Sequence, residues 1–124
     1  MHILIVEDTP IAQFVLKGHM VDVGCTVDTA SDGKSALEQA LQTHYDFILM
    51  DIGLGDGPDG FEVSSLIKQQ SKVNQKTPIM AVTAHGEPEY NEKAKKVGME
   101  GYFTKPFTPK DAKKIMDYMN SLKH

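Results

Sequence analysis

The chain has 124 residues, of which 24% are charged and 40% are hydrophobic, and this length and composition indicate one globular domain with its own core. Cys25 is the only cysteine, which excludes an intramolecular disulfide and any site that needs several cysteine ligands. No apolar run approaches the length of a membrane span, and the N-terminus lacks the pattern of a signal peptide. We therefore expect a cytoplasmic domain over residues 1–124 without a membrane span.

The net charge of −4 hides an asymmetry along the chain. Residues 1–62 carry 11 acidic residues and two lysines, whereas residues 63–124 carry 11 lysines and six acidic residues. The chain has no arginine, the residue that most often reads guanine, so we do not expect direct nucleic-acid binding. The lysines of the second half could face a protein partner, or they could form the solvated faces of helices.

Five short apolar runs alternate with five helix-compatible segments. The runs, predicted as strands, span residues 3–6, 26–30, 47–50, 79–82 and 101–104. Three runs are continuously hydrophobic, which indicates strands covered on both faces, whereas the second run alternates and is expected nearer an edge. Five such units predict an α/β fold with a doubly wound parallel sheet of order 2-1-3-4-5 and right-handed crossovers.

Capping residues and helical periodicity predict the intervening helices. They open at Pro10, Asp32, Asp59, Pro88 and Pro109, and they end before Gly24 and near Leu41, Gln70, Val97 and Leu122. Apolar or small residues recur at helical spacing in the first helix at Ile11, Phe14, Val15 and Gly18. The clearest apolar stripe belongs to the fifth helix, with Ala112, Ile115, Met116, Met119 and Leu122.

The residues that end the predicted strands are chemically complementary. Glu7 and Asp8 follow the first strand, Asp51 the third, Thr83 the fourth and Lys105 the fifth. In a doubly wound sheet these positions meet at the switch point between the first and third strands. Three carboxylates packed there repel by several kcal/mol at an effective dielectric of roughly 20. Lys105 offsets part of this charge, and a hard cation such as Mg²⁺ suits the remaining oxygen ligands better than Ca²⁺ or zinc.

These motifs resemble the receiver domains of bacterial two-component response regulators and hybrid sensor histidine kinases, and the resemblance covers nearly the whole chain. The family's acidic pair is matched by Glu7 and Asp8, its phosphoacceptor by Asp51 within FILMDIGL, its switch hydroxyl by Thr83 within IMAVTAH, and its lysine by Lys105 within GYFTKPF. Tyr102, three positions before the lysine, matches the aromatic switch residue. The resemblance implies the flavodoxin-like (βα)5 fold.

The resemblance also implies a function in phosphorelay signalling. Asp51 would accept a phosphoryl group from a phosphohistidine of a histidine kinase or histidine phosphotransfer domain, and the domain would catalyse only its own phosphorylation and dephosphorylation. Mg²⁺, with Mn²⁺ as an alternative, would be held by Glu7 (through water), Asp8, Asp51 and the carbonyl of Gly53. Thr83 and Lys105 would bind the phosphoryl oxygens, and Tyr102 would rotate inward. We expect a monomer or weak dimer.

A basic partner surface is predicted beside the switch residue Tyr102. Its lysines lie on or near the fourth and fifth predicted helices: Lys93, Lys96, Lys110, Lys113 and Lys114. Helical periodicity places the last three away from the apolar stripe of the fifth helix, so we expect them to be exposed. If phosphorylation changes the surface of the fourth helix, fifth strand and fifth helix, these lysines favour an acidic partner.

Two features depart from the family pattern. Gly55 replaces the usual proline after the phosphoacceptor, and the acid-glycine pair Asp59-Gly60 arrives one residue late, which predicts a longer and more flexible loop over residues 53–60. His85 follows Thr83 by two positions, and it could gate water, contact the phosphodonor or face solvent.

Three other interpretations stay open at this level. A phosphatase of the haloacid dehalogenase type uses similar groups, but its DxDxT motif follows the first strand, where this chain has EDT. An FMN-binding flavodoxin needs a phosphate loop at the same place, where Glu7 and Asp8 present negative charge. A protein-interaction module with vestigial acids is the third. The sequence also leaves open whether the receiver stands alone or belongs to a hybrid kinase or larger regulator.

Overall fold

The computed structural model of the chain describes residues 1–54, 57–84 and 88–122, and within them all ten predicted elements are present. The strands are β1 (His2–Val6), β2 (Thr26–Ala30), β3 (Phe47–Asp51), β4 (Ile79–Thr83) and β5 (Gly101–Thr104). The helices are α1 (Pro10–Asp22), α2 (Gly33–Gln42), α3 (Gly60–Gln70), α4 (Pro88–Lys96) and α5 (Pro109–Ser121). No helix in this part of the chain is long and apolar enough to cross a bilayer.

The five strands form one parallel sheet in the order β2-β1-β3-β4-β5, which confirms the predicted topology. β1 pairs with β2 on one side and with β3 on the other. The chain therefore places β2 on one side of β1 and all later strands on the opposite side. β2 is an edge strand, as its alternating sequence predicted. The central strands β3 and β4 are buried along their whole length.

Helices cover both faces of the sheet, which explains the continuous hydrophobic runs. On one face, alternate side chains of β1 such as Leu4 pack in a cluster with residues of α2, α3 and α4. On the other face, Ile3 and Ile5 pack with residues of α1 and α5. A parallel sheet buried in this way holds its strand ends in fixed relative positions. The polar residues at those ends are therefore held in fixed positions as well.

The apolar residues that marked α1 in the sequence lie mostly on its solvent side. Ile11 and Phe14 are 77% and 79% exposed, whereas Leu16 and Met20 are buried against the sheet. Leu16 and Met20 are four residues apart and therefore share one face of the helix, and the sheet contacts that face. The periodicity predicted the helix correctly, but it did not identify which face is buried.

Helix α5 keeps the predicted stripe except at its end. Ala112, Ile115 and Met119 are buried, whereas Leu122 lies beyond the last helical residue and is 55% exposed. The helix opens with a capping box, in which the Thr108 hydroxyl accepts from the Asp111 N–H at 3.3 Å and the Asp111 carboxylate accepts from the Thr108 N–H at 2.9 Å. This cap fixes the start of α5 shortly after β5.

Helix α3 begins directly against the end of β3. The Asp59 side chain caps it by accepting from the Glu62 N–H at 2.9 Å. Gly60 packs so closely that a β carbon there would collide with the Asp51 carbonyl oxygen and lie 2.8 Å from the Ile52 Cα. The acid-glycine pair therefore has a clear structural role although it arrives one residue late. Gly55, which replaces the family's proline, lies outside the described residues.

We expect Gly60→Ala to lower the free energy of unfolding by about 1–3 kcal/mol, because the added methyl group meets rigid backbone rather than a flexible side chain. Urea unfolding measures the effect. Gly18→Ala is the matched control, since Gly18 lies in α1 with no atom within 4 Å of an added β carbon. That substitution should gain roughly 0.5–1 kcal/mol from helix propensity. Equal stability of the two variants would contradict the packing of Gly60 on Asp51.

Candidate functional site

The sheet topology brings the five predicted strand-end residues to one rim. Because Val6 pairs with Met50 across β1 and β3, the residues that follow them on the two strands are neighbours. The same applies across β3, β4 and β5, where Thr83 pairs with Thr104 one residue before Lys105. The rim residues are thus Glu7, Asp8, Asp51, Thr83 and Lys105.

Three carboxylates converge at this rim. Glu7 and Asp51 are buried, and Asp8 is exposed at the mouth of the site. One carboxylate oxygen from each of the three residues lies within 4.8 Å of the other two. The cluster offers a cation only oxygen ligands, and one ligand atom comes from a fully buried side chain.

Lys105 lies between the two buried acids. Its Nζ donates to Glu7 Oε2 at 2.8 Å and lies 3.5 Å from Asp51 Oδ2. Backbone groups hold the other carboxylate oxygens: the Thr9 N–H donates to Glu7 Oε1 at 3.2 Å, and the Gly53 N–H donates to Asp51 Oδ1 at 3.1 Å. Both buried carboxylates are therefore fixed in position at both of their oxygens.

The electrostatics of the site follow from burial and from crowding of like charges. Burial raises the pKa of Glu7, and the Asp51 charge raises it further, although the hydrogen bond from Lys105 opposes both effects. Burial alone would lower the pKa of Lys105, but its hydrogen bond to Glu7 and the charges of Asp51 and Glu7 raise the pKa above the ordinary lysine value. Lys105 is therefore a cation at neutral pH.

The charge balance leaves room for a divalent cation. Three carboxylates and one ammonium group carry two excess negative charges when all four are ionised. Hard cations such as Mg²⁺ take one or two carboxylates and retain several waters, which matches an oxygen-only cluster with one exposed member. The residues present therefore fit the ion that the sequence predicted.

The predicted switch residues lie on neighbouring strands. Thr83 ends β4 and is buried, and its carbonyl oxygen accepts from the Lys105 N–H at 2.7 Å. Tyr102 of β5 pairs with Ala81 and packs partly buried against the hydrophobic cluster on the α2, α3 and α4 side. His85 lies outside the described residues, so its predicted position near the site mouth stays a prediction.

All five lysines of the predicted partner surface are exposed in the structure: Lys93, Lys96, Lys110, Lys113 and Lys114. The last three point away from the buried stripe of α5, as periodicity predicted. Lys93 has a further contact that the sequence did not predict, because its Nζ lies 4.8 Å from the ring centroid of Phe61.

Two features near the site were missed in the sequence. The Gln13 side chain of α1 donates to the Glu7 carbonyl oxygen at 3.1 Å and so ties this helix to the rim. A groove of about 420 Å³ lies beside Lys105, lined mainly by apolar side chains such as Val15 and Phe107. The Lys105–Pro106 peptide bond in its wall is cis. A glutamine in the sequence gives no local signal for such a contact. A groove between separate elements likewise leaves no signal in the local sequence.

The model of the response regulator receiver domain family matches residues 3–117. A similar curated protein is the sensor protein EvgS of Escherichia coli K12, with 31% identity over 122 residues. That alignment covers 98% of this chain but only 10% of EvgS, so the chain spans about a tenth of this relative.

Solved structures show the same similarity. The chemotaxis response regulator CheY4 of Vibrio cholerae has a TM-score of 0.86 and 30% identity, covering 95% of this chain and 97% of that one. The receiver domain of the sensor histidine kinase PA1611 of Pseudomonas aeruginosa, with a magnesium ion in its active site cleft, has a TM-score of 0.85 and 30% identity and covers 95% of both chains. The family match selects the receiver interpretation over the phosphatase and flavodoxin alternatives. The chain belongs to the response regulator receiver domain family of two-component signalling.

Proposed function

We propose that Asp51 accepts a phosphoryl group from a phosphohistidine on a histidine kinase or histidine phosphotransfer domain, and that this event changes the α4-β5-α5 surface. The observation that carries the proposal is the convergence of Glu7, Asp8 and Asp51, with the ammonium group of Lys105 beside the two buried members of the cluster. A buried, crowded set of charges is costly to maintain. Binding of Mg²⁺ and phosphate explains why the site keeps such an electrostatically costly set of charges.

Asp51 would act as the nucleophile in this reaction. One of its oxygens accepts from the Gly53 N–H at 3.1 Å, and the other faces Lys105 at 3.5 Å. A carboxylate oxygen attacks phosphorus to form an acyl phosphate, while the phosphorus–nitrogen bond breaks and the imidazole keeps the electron pair. Lys105 stabilises the negative charge of the transferred group.

The metal site consists of residues around this nucleophile. Asp8, Asp51 and the Gly53 carbonyl would bind Mg²⁺ directly, and Glu7 would act through water, since Lys105 already bonds one of its oxygens. When bound, the ion neutralises negative charge on the oxygens of the transferred phosphoryl group. Mn²⁺ also accepts oxygen ligands, so we propose it as an alternative ion.

The switch involves Thr83 and Tyr102. Thr83 is buried at the end of β4, where its hydroxyl can turn toward a phosphoryl group on Asp51. Tyr102 lies on the adjacent strand opposite the small residue Ala81, and it is only partly buried. A displaced Thr83 leaves space into which the Tyr102 ring turns, which alters the surface between α4 and α5.

The phosphodonor must approach Asp51 across the rim, and α1 borders this approach. Its exposed residues Ile11, Phe14 and Val15 present apolar surface, and Val15 also lines the groove beside Lys105. Exposed apolar patches of this kind are typical of protein contact surfaces. We propose that the donor covers this face, whereas the lysines of α4 and α5 serve an acidic partner.

We expect Mg²⁺ to bind at the acidic rim and to shift the amide resonances of residues near 7, 8, 51 and 53 in a titration followed by NMR. Asp8→Asn should weaken the apparent affinity by about tenfold or more, because a ligating carboxylate is lost. Asp22→Asn, an exposed acid at the end of α1, is the control and should titrate as the unaltered chain does. An unchanged titration in Asp8→Asn would contradict the metal site.

We expect acetyl phosphate with Mg²⁺ to add one phosphoryl group, about 80 Da by intact mass. Asp51→Asn should abolish this labelling and keep the fold, whereas Asp117→Asn, an exposed acid on α5, should leave it intact. Lys105→Ala should weaken the conformational response to phosphorylation while having a smaller effect on the stability of the fold. Absence of labelling in the unaltered chain would favour an interaction module with vestigial acids.

We expect simultaneous change of Lys110, Lys113 and Lys114 to glutamate to weaken binding of an acidic partner by at least about tenfold at low salt, because attraction becomes repulsion. Labelling of Asp51 by acetyl phosphate should persist. The control changes Lys34, Lys72 and Lys76, which are exposed outside α1, α4 and α5, and alters the net charge equally. Calorimetry with the regulated effector decides, because the phosphodonor is proposed to bind the α1 face; equal affinity of both variants would contradict the assignment.

A further inference from the structure

Lys93 contacts a nearly fully buried aromatic ring across the interface between α4 and α3. Its Nζ lies 4.8 Å from the ring centroid of Phe61, which is 2% exposed. The same ring stacks on Tyr90 of α4, with centroids 6.2 Å apart and planes inclined by 11°. Two side chains of α4 thus contact one ring of α3. We call this group of Phe61, Tyr90 and Lys93 the α3–α4 clamp.

The ring of this clamp is closely connected to the phosphoacceptor. Phe61 follows Gly60, which packs directly against the backbone of Asp51 and Ile52. The Gly60 N–H also donates to the Ile52 carbonyl oxygen at 3.1 Å. The start of α3 is therefore held in place by the strand end that carries Asp51, and Phe61 presents a fixed surface to α4.

The described side chains of helix α4 are mostly exposed. Among residues 90–96, the part of the helix whose side chains the structure describes, only Ala94 is buried and Tyr90 is partly buried. The methyl group of an alanine buries little apolar area. Within residues 90–96, the contacts of Tyr90 and Lys93 with Phe61 therefore join the burial of Ala94 in setting the position of this helix.

We propose that Lys93 and Phe61 are positioning residues of the switch: their contact holds α4 on α3 in the unphosphorylated domain and so opposes the rearrangement of the α4-β5-α5 surface. The inference rests on the proposed function for its link to phosphorylation. It changes the role of Lys93, which the sequence assigned to partner binding. A contact specific to one state stabilises that state, and by linkage its loss favours the other state at Asp51 as well.

The test compares Lys93→Met, which keeps an unbranched side chain only one heavy atom shorter and removes the charge, with Lys95→Met as control. Lys95 is exposed on the same helix, and its substitution changes the net charge equally. Lys93→Met should shift the amide resonances of residues 60–63 at the start of α3 in the unphosphorylated protein, which Lys95→Met should leave in place, and speed acetyl phosphate labelling of Asp51 two- to fivefold. That range matches a cation–π contact of about 0.5–1 kcal/mol.

Two further variants separate the clamp from a general effect of charge. Lys93→Arg keeps a cation over the ring and should restore resonances and labelling rate to those of the unaltered protein. Phe61→Leu keeps an apolar side chain but removes the ring, so it should reproduce Lys93→Met, and its urea midpoint shows whether it remains folded. The proposal is overturned if Lys93→Met and Lys95→Met give the same resonances and rates, or if arginine fails to restore them.

Failure of the proposed function gives a different result. If acetyl phosphate does not label the unaltered protein, then Asp51 is not a phosphoacceptor, and the link of the clamp to phosphorylation falls with it. The resonances of residues 60–63 still decide whether Lys93 contacts α3, because they are measured without phosphorylation. If labelling is normal and the resonances of Lys93→Met do not move, only the clamp is wrong.

Discussion

The crowding of three carboxylates, two of them buried beside one lysine, is the constraint on which the rest of the site depends. Glu7 and Asp51 are both buried, and Lys105 lies 2.8 Å from the first and 3.5 Å from the second. Without that cation, two buried like charges would repel strongly in a poorly screened environment. The site is sensitive to charge, because any cation or anion that enters it changes the electrostatic balance between the carboxylates and Lys105. Phosphate chemistry is one of the few processes that brings both a metal ion and an anion to such a site.

A sheet covered on both faces makes this arrangement possible. Strands β3 and β4 are buried throughout, so their ends cannot shift independently of the core. Around this rigid frame the helices are attached unequally. Helix α3 starts in direct contact with the backbone of Asp51, whereas among residues 90–96 of α4 only Ala94 is buried and Tyr90 and Lys93 contact Phe61. Under the proposed function, a phosphoryl group on Asp51 would meet firm packing at α3, whereas the mostly exposed α4 would rearrange at lower cost.

Two chemically different surfaces surround the site. The exposed side of α1 is apolar at Ile11, Phe14 and Val15, and it adjoins the groove beside Lys105. The exposed sides of α4 and α5 carry lysines instead. Apolar contact gives affinity at close range, whereas a basic face steers an acidic partner over longer distances and depends on salt. Under the proposed function, these separate surfaces would let the phosphodonor and the regulated partner be recognised by different physical means.

The sequence by itself determined the ten elements, the strand order and the five rim residues. These depend on local properties: hydrophobic runs, caps, and the rule that parallel strand ends share one edge. Only the tertiary structure decided which face of α1 is buried, since periodicity defines faces relative to one another and not to the sheet. It also decided that Lys93 contacts Phe61 and that Gly60 fits against Asp51. Such contacts join residues on different elements, and their distances depend on how whole helices pack, which no local pattern encodes.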